Sequence, residues 1–561
     1  MKEIKKKRGK VQREKINEAP GELRIRYPFL WLTIAVLVLY LPSINFDFTE
    51  LDDSIFIKEQ QEYNSHLSNL GTSFKRGVFN ETEDVYYRPL LLNSFILNYQ
   101  ISKTNIKGYH FINILLHLAS VLLLFILLKK LKIKEGHSFV LTLFFAVHPV
   151  LSQAVAWIPG RNDTLLALFS FSFFILMLEY SESGSLLWLI LHFITLIAAF
   201  FTKETGLFTP AAAFVMLVLI MNKKWLEKRN LILYASWLLA FCLWFYVRSE
   251  ATLKNEQVDF SQIIKALPFR LPVIIQYFGK IILPINLSVF PIMKDTTYWF
   301  GIIAVAIMTA MLLHKKQKNW KVVAAGIIIY ILFLLPVLLV PNTLNEQDFE
   351  HRLYLPMVGV LILLPETFLF KNNWRESKVL MAGIAVCAIL AIVNFIHQKN
   401  FADPLKFWQS AVRTSPHSAY ANMMLGARLD KVDLPRAQSL IKTAYALNPD
   451  EKYLNYYMGK MMLDKDSIEA AEKYFLKEVN KSEYYECYFH LARIAFLKER
   501  WDEAISYLIK YLSTNPADSQ ANNNLLLLYM QTNQIEKAKT QMQRMQQMGI
   551  EVPAEALQRL Q

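Results

Sequence analysis

Cysteine is scarce: three in 561 residues, at Cys242, Cys387 and Cys487. Two of these fall inside apolar runs, so neither a disulfide framework nor a CxxC or Cys/His metal spacing can be assembled from them. Walker, GxGxxG, HExxH and GxSxG patterns are also missing, which leaves nucleotide-driven transport and the familiar hydrolase chemistries without support. The sequence commits to no cofactor of its own and does not decide whether a divalent metal is needed. Beyond residue 400 long apolar runs stop as well.

Before residue 400 such runs dominate. Hydrophobic residues make up 54% of the chain and aromatics 13%, and the mean hydropathy is +0.24. From 28 to 397 the apolar residues gather in stretches of roughly 17–22, each long enough to cross a hydrocarbon core of about 30 Å. Eleven helical spans are expected, near 28–43, 111–128, 138–157, 163–180, 186–201, 207–221, 231–247, 298–313, 322–340, 353–370 and 378–396. An amphipathic piece at 86–101 starts at Arg88-Pro89, and the proline-punctuated stretch 268–291 suits an interfacial or re-entrant segment. No small-residue cleavage site follows the first apolar run, so it is expected to be a retained helix.

The net charge of +14 invites a nucleic-acid reading, but the placement of the charges argues against it. Lys and Arg collect in a basic tail, 1–27, and in short loops such as 129–137, 222–230, 314–321 and 371–377. That is the positive-inside bias of a membrane protein with a cytoplasmic N-terminus. The short loop 181–185 is the exception. With eleven spans, the outer side receives the long first loop 44–110 and everything after 397. The organisation expected is therefore a basic tail (1–27), a transmembrane domain (28–397), a connector (398–417) and a soluble C-terminal part (418–561).

The polar residues left on the outer side were not used to choose that topology. They are Asp52 and Asp53, Arg88, His148, Arg161, Asn162, Asp163, Lys203, Glu204, Glu350, His351 and Arg352. Ionisable groups at the ends of apolar helices are costly and mark polar cavities. Asp52-Asp53 is compatible with a cap for a helix starting at Ser54; it is also suited to take a proton from an acceptor hydroxyl, since burial beside a like charge raises a carboxylate's pKa. Arg161, Lys203, His351 and Arg352 have the alternatives of interfacial anchoring or of jointly binding a lipid phosphate and stabilising its charge as it leaves. Glu204 is as readily an ion-pair partner of Lys203, and His148, before Pro149, a hydrogen-bonded core residue at a kink.

The soluble part repeats. Gly426, Gly459 and Ala492 are spaced by 33, and Ala437, Ala471, Ala504 and Ala538 by 33 or 34. Small residues at these positions let paired helices approach, and Pro449 and Pro516 close units. Four units fit, at 418–449, 450–482, 483–516 and 517–550, the last carrying Leu526 in place of the small residue and read as a cap.

The segments LDDSIFI (51–57), YYRPLLLNSFILNY (86–99), GYHFINILLH (108–117), FAVHPVLSQAVAWIPGRNDTL (145–165), TKETGLF (202–208) and EHRLYLP (350–356), followed by tetratricopeptide-like repeats, resemble the transmembrane and tetratricopeptide-repeat protein O-mannosyltransferases of the GT-C superfamily. The resemblance covers almost the whole chain in order. It implies an all-α fold, a GT-C-type membrane domain plus an α-solenoid, and inverting transfer of a mannose-like sugar from a polyprenyl phosphate to Ser/Thr hydroxyls of extracytoplasmic proteins. It also implies a catalytic base at Asp52 or Asp53, and donor binding by Arg88, His148, Arg161, Asp163, Lys203, Glu204, His351 and Arg352. The sequence departs from the family at Leu151 and Gln153, where relatives often carry His and Glu. The expected partners are the lipid-phosphate donor, an acceptor polypeptide held by the repeats, and membrane lipids, with no nucleic acid. The expected location is a bacterial inner membrane, with undecaprenyl phosphate as carrier and with the site and repeats outside the cytoplasm. The alternatives are a transferase acting on a lipid or envelope glycan and a non-enzymatic repeat scaffold.

Overall fold

A computed structural model describes residues 25–79, 86–252, 260–339, 347–370, 376–482 and 484–560. Most of the basic tail, and the lysine-bearing stretch 371–375, lie outside the described residues. The chain forms two compact units, Met1–Val289 with Thr296–Asp403, and Phe290–Asp295 with Pro404–Gln561.

The first unit is built from helices in chain order: α1 (Pro28–Tyr40), α2 (Pro89–Ser102), α3 (Ile106–Lys130), α4 (Glu135–Val147), α5 (Ser152–Ala156), α6 (Arg161–Ser183), α7 (Leu186–Thr202), α8 (Thr209–Val215), α9 (Lys228–Thr252), α10 (Phe260–Arg270), α11 (Pro272–Ile282), α12 (Trp299–Leu313), α13 (Trp320–Leu338), α14 (Pro356–Leu363) and α15 (Glu376–Gln398). Among the described residues six helical stretches are long and apolar enough to cross a membrane, and the bent pair α4–α5, taken as one span, makes a seventh. The other expected spans appear as four shorter apolar helices among the described residues, of which Leu186–Thr202 and Glu204–Ile220 are the longest. Prolines at the first helical positions of α1, α2, α11 and α14 start them without losing a hydrogen bond, because those N–H groups have no intrahelical partner.

The expected single span 138–157 is broken by 50°. Pro149 cannot donate to the ladder, and the freed carbonyls are taken up elsewhere: Asn394 Nδ2 on α15 donates to Val147 O at 3.1 Å and His148 O at 3.2 Å. α3 is the central strut, packing on α1, α4 and α6, while α13 pairs with α14. At that pairing Gly326 faces Gly359; a Cβ on Gly326 would lie 2.5 Å from Gly359 O, so only glycines allow the backbones to touch.

The second unit has a leading helix, α16 (Pro404–Thr414), and four antiparallel pairs: α17–α18 (Ala419–Leu429, Leu434–Leu447), α19–α20 (Leu454–Leu463, Ile468–Ser482), α21–α22 (Glu486–Leu497, Trp501–Thr514) and α23–α24 (Ser519–Gln531, Ile535–Gln547). A Cβ on Gly459 would meet the Phe475 ring at 2.7 Å, which is why the small residue recurs within the pairs. Leu526 is nevertheless fully buried in the fourth pair, and that pair is followed by α25 (Ala554–Leu560), whose Ala556 and Leu560 join the same core. Phe290–Asp295 belongs to this unit: the Phe290 ring packs on Trp408 and Tyr420, and Ser415 Oγ donates to Phe290 O at 2.7 Å.

Candidate active site

Within the first unit a cavity of about 370 Å³ is lined by residues from seven separated stretches of sequence. Asp52 comes from the loop after α1, Arg88 from the start of α2, Trp157 and Asn162 from the α5–α6 junction, Lys203 and Glu204 from the end of α7, and His351 and Arg352 from the turn before α14. Arg248, near the end of α9, completes the polar lining. Against the two carboxylates Asp52 and Glu204 stand four basic side chains, Arg88, Lys203, Arg248 and Arg352, so the cavity favours an anionic ligand.

The two adjacent aspartates differ. Asp53 is buried and its carboxylate is closed by its own loop: Oδ2 accepts from Thr49 N at 2.6 Å and Thr49 Oγ1 at 2.9 Å, and Oδ1 from Ser54 N at 3.0 Å. Burial still outweighs these bonds and raises its pKa. Asp52 faces the cavity; burial first and the neighbouring Asp53 second push its pKa up to about 7, with Arg88 opposing.

Arg88 is held by a fork to Glu204, with Nη2–Oε2 at 2.8 Å and Nε–Oε2 at 3.0 Å, and its guanidinium lies over the Tyr86 ring. Lys203 Nζ binds both Asp163 oxygens, at 2.7 and 2.8 Å, and Asn162 Oδ1 at 3.3 Å. The ion pair expected between Lys203 and Glu204 is therefore not the one formed: each pairs with a residue distant in sequence. His351 sits 3.8 Å from Asp163 Oδ2, with its ring against Trp157 and Phe349. Burial first, then Lys203, Arg352 and Arg88, hold His351 well below its usual pKa, so it is neutral.

Four of the singled-out residues do not line the cavity: Asp53, Arg161, His148 and Asp163. Arg161 is fully buried where α2, α3 and α6 meet, donating to Asn113 Oδ1 at 2.8 Å, Asn98 Oδ1 at 2.7 Å and Tyr109 O at 3.0 Å, under the Phe95 ring. His148 Nδ1 accepts from Val150 N at 3.2 Å, leaving Nε2–H to donate to Ile281 O at 3.0 Å. Arg161 and His148 are thus bonded to protein groups, and Asp163 to Lys203.

Three further groups had been given no site role from the sequence. Arg248 carried no signal beyond its place at a helix end. Glu350 is fully buried, receiving Lys280 Nζ and Ser288 N, both at 2.8 Å, and so anchors the turn that carries His351. Gln153 bridges two segments: its Nε2 donates to Val289 O at 3.1 Å while Oε1 accepts from His351 N at 3.3 Å.

No family model matches the chain. Its relatives are protein O-mannosyl-transferases. The protein O-mannosyl-transferase F38B6.6 of Caenorhabditis elegans is 24% identical over 367 residues, covering 63% of this chain and 52% of that protein. Human protein O-mannosyl-transferase TMTC2 is 37% identical over 145 residues, 24% of this chain and 16% of the relative, and mouse TMTC4 is 30% identical over 227 residues, 35% and 30%. The chain thus spans about half the length of the nematode relative and less of the others. The solved structure of ArnT from Cupriavidus metallidurans bound to undecaprenyl phosphate aligns with 74% of this chain and 75% of its own, at 14% identity and a TM-score of 0.40, too low to build on. With its apolar helices, this is a multi-pass, all-helical membrane protein similar to protein O-mannosyl-transferases, the family its motifs resemble.

Proposed function

We propose that the chain is an inverting glycosyltransferase that moves a mannose-like sugar from a polyprenyl-phosphate donor to a Ser or Thr hydroxyl of an extracytoplasmic protein. The observation that carries this reading is the cavity in which one unclamped carboxylate, Asp52, faces four cations. Asp52 takes the acceptor's proton as the hydroxyl oxygen bonds to the anomeric carbon. The bond from that carbon to the phosphate oxygen breaks, and its electron pair leaves with the polyprenyl phosphate. A phosphate leaving group needs no general acid, which accounts for one base among several cations rather than two opposed carboxylates. Arg88, Lys203, Arg248 and Arg352 hold the phosphate, neutral His351 orients it by hydrogen bonding, and Asp53, Glu204, Asp163, Arg161 and His148 position these groups. The repeats hold the acceptor polypeptide, and the reaction takes place on the outer side of the membrane.

The test is transfer by the purified full chain from a panel of polyprenyl-phosphate sugars to Ser/Thr peptides, with Asp52→Asn and Asp53→Asn beside it. Loss in Asp52→Asn with retained folding supports the assignment. Full activity of Asp52→Asn, or no transfer from any lipid-phosphate sugar, overturns it.

A further inference from the structure

A second cavity of about 270 Å³ lies in the first unit and shares no lining residue with the catalytic candidate. Val322 lines this one and Pro336 the other. At a helical rise of ~1.5 Å per residue the two stand about 21 Å apart along α13, so the cavities occupy opposite ends of the helix.

Its polar wall is basic. Lys132 and Lys134, from the turn between α3 and α4, meet Lys315, from the turn before α13, with His137 beside them. Among the described residues the only carboxylate in the lining is Glu366, which accepts from Lys315 Nζ at 3.3 Å and Asn319 N at 2.8 Å. Lys315 also donates to Pro365 O at 2.7 Å and is thereby built into the wall. The neighbouring lysines at the end of α3 are neutralised, Lys129 by Glu135 and Lys130 by Glu179, whereas Lys132 has no ion-pair partner among the described residues. Lysines thus outnumber carboxylates in the described lining by three to one.

Its remaining wall is apolar, from Leu131, Ile133, Ile220, Val322, Ile362 and Phe370. Leu131 and Ile133 follow the end of α3, Val322 lies in the first turn of α13 and Ile362 in the last turn of α14, so a hydrocarbon chain would run beside apolar helix ends. A free anion would gain nothing from that wall, and a neutral lipid nothing from the lysines. We infer that this cavity is a binding site for the phosphodiester headgroup of an anionic phospholipid of the inner leaflet, with Lys132 and Lys134 as the principal contacts. Basic pockets between membrane helices on the lysine-rich side suit such headgroups, at roughly 1 kcal/mol per Lys or Arg. The inference does not depend on the catalytic reading.

The experiment titrates the purified full chain, in neutral detergent, with dioleoylphosphatidylglycerol and counts retained lipid by native mass spectrometry. Dioleoylphosphatidylcholine and inorganic phosphate form parallel arms. The expected result is one tightly retained phosphatidylglycerol that phosphatidylcholine does not replace and millimolar phosphate does not displace. Lys132→Glu with Lys134→Glu should weaken it by about tenfold or more, and the paired Gln substitutions by less. Lys223→Glu with Lys224→Glu, in another lysine-bearing loop, should leave it unchanged. Equal retention of both lipids, full displacement by phosphate, or equal loss in both pairs of reversals overturns the site. Lys132 and Lys134 are exposed and can be reversed without emptying a core, and the Gln pair gives a second reading if the reversals fold poorly.

Discussion

Arg88 and Glu204 lie 116 residues apart in sequence and meet at 2.8 Å in the wall of one cavity. The two substitutions at this pair are not equivalent. Arg88→Gln removes a cation and leaves a carboxylate facing the donor phosphate. Glu204→Gln leaves the cation in place and only loosens it. The expected outcome is a fall in kcat/KM for the lipid donor of about a hundredfold in the first and less than tenfold in the second. Steady-state kinetics with varied donor check this; equal effects would remove Arg88 from the phosphate site.

Asp52 must be ionised to act as a base, and its pKa is pushed up to about 7. Transfer should therefore rise with pH through that value and level off above it, the acid limb reflecting protonated Asp52. Asp52→Asn should lose about 10²–10⁴-fold in rate together with that limb. A pH–rate profile of kcat/KM that is flat from pH 5.5 to 8.5 would contradict the role.

Gln153 both donates and accepts, so a carboxylate in its place can keep only half of its bonds. Gln153→Glu leaves Val289 O facing an acceptor and should cost about 1–3 kcal/mol. Thermal unfolding in detergent measures the loss, and because the same side chain holds the His351 amide, transfer should fall with it.

Gly326 and Gly359 touch backbone to backbone, which no side-chain rearrangement can relieve. Gly359→Ala should therefore destabilise the α13–α14 pair by about 1–3 kcal/mol, read as a lowered midpoint of unfolding. Gly71→Ala, where a Cβ meets nothing within 4 Å, is the control and should leave the midpoint unchanged.

Much of the architecture was legible because it rests on local periodicity. The apolar runs, the proline starts and the recurrence of Gly426, Gly459 and Ala492 each fix a helix or a helix pair through short-range sterics and hydrophobicity. Lengths were less legible. The run 353–370 contains only the short helix α14, since Pro365 breaks the hydrogen-bond ladder near its end. The assignment of Phe290–Asp295 to the repeat unit left no local mark at all.

Among the polar residues, places at the ends of apolar runs put Asp52, Arg88, Lys203, Glu204, His351 and Arg352 in the expected set, because charges at helix ends are expensive unless they share a cavity, but put Asp53, His148, Arg161 and Asp163 there as well. Position could not say which charges pair. Glu204 follows Lys203 directly, yet the backbone carries the two side chains to different partners, Arg88 and Asp163. Nor could it separate Asp52 from Asp53, since adjacent carboxylates are identical in composition and differ only in which one the Thr49 turn closes. The sequence by itself determined the helices, the repeats and the inventory of charges. The tertiary structure alone decided which of those charges are spent on one another and which remain turned toward a ligand, because that depends on directions and distances of a few ångströms between segments far apart in the chain.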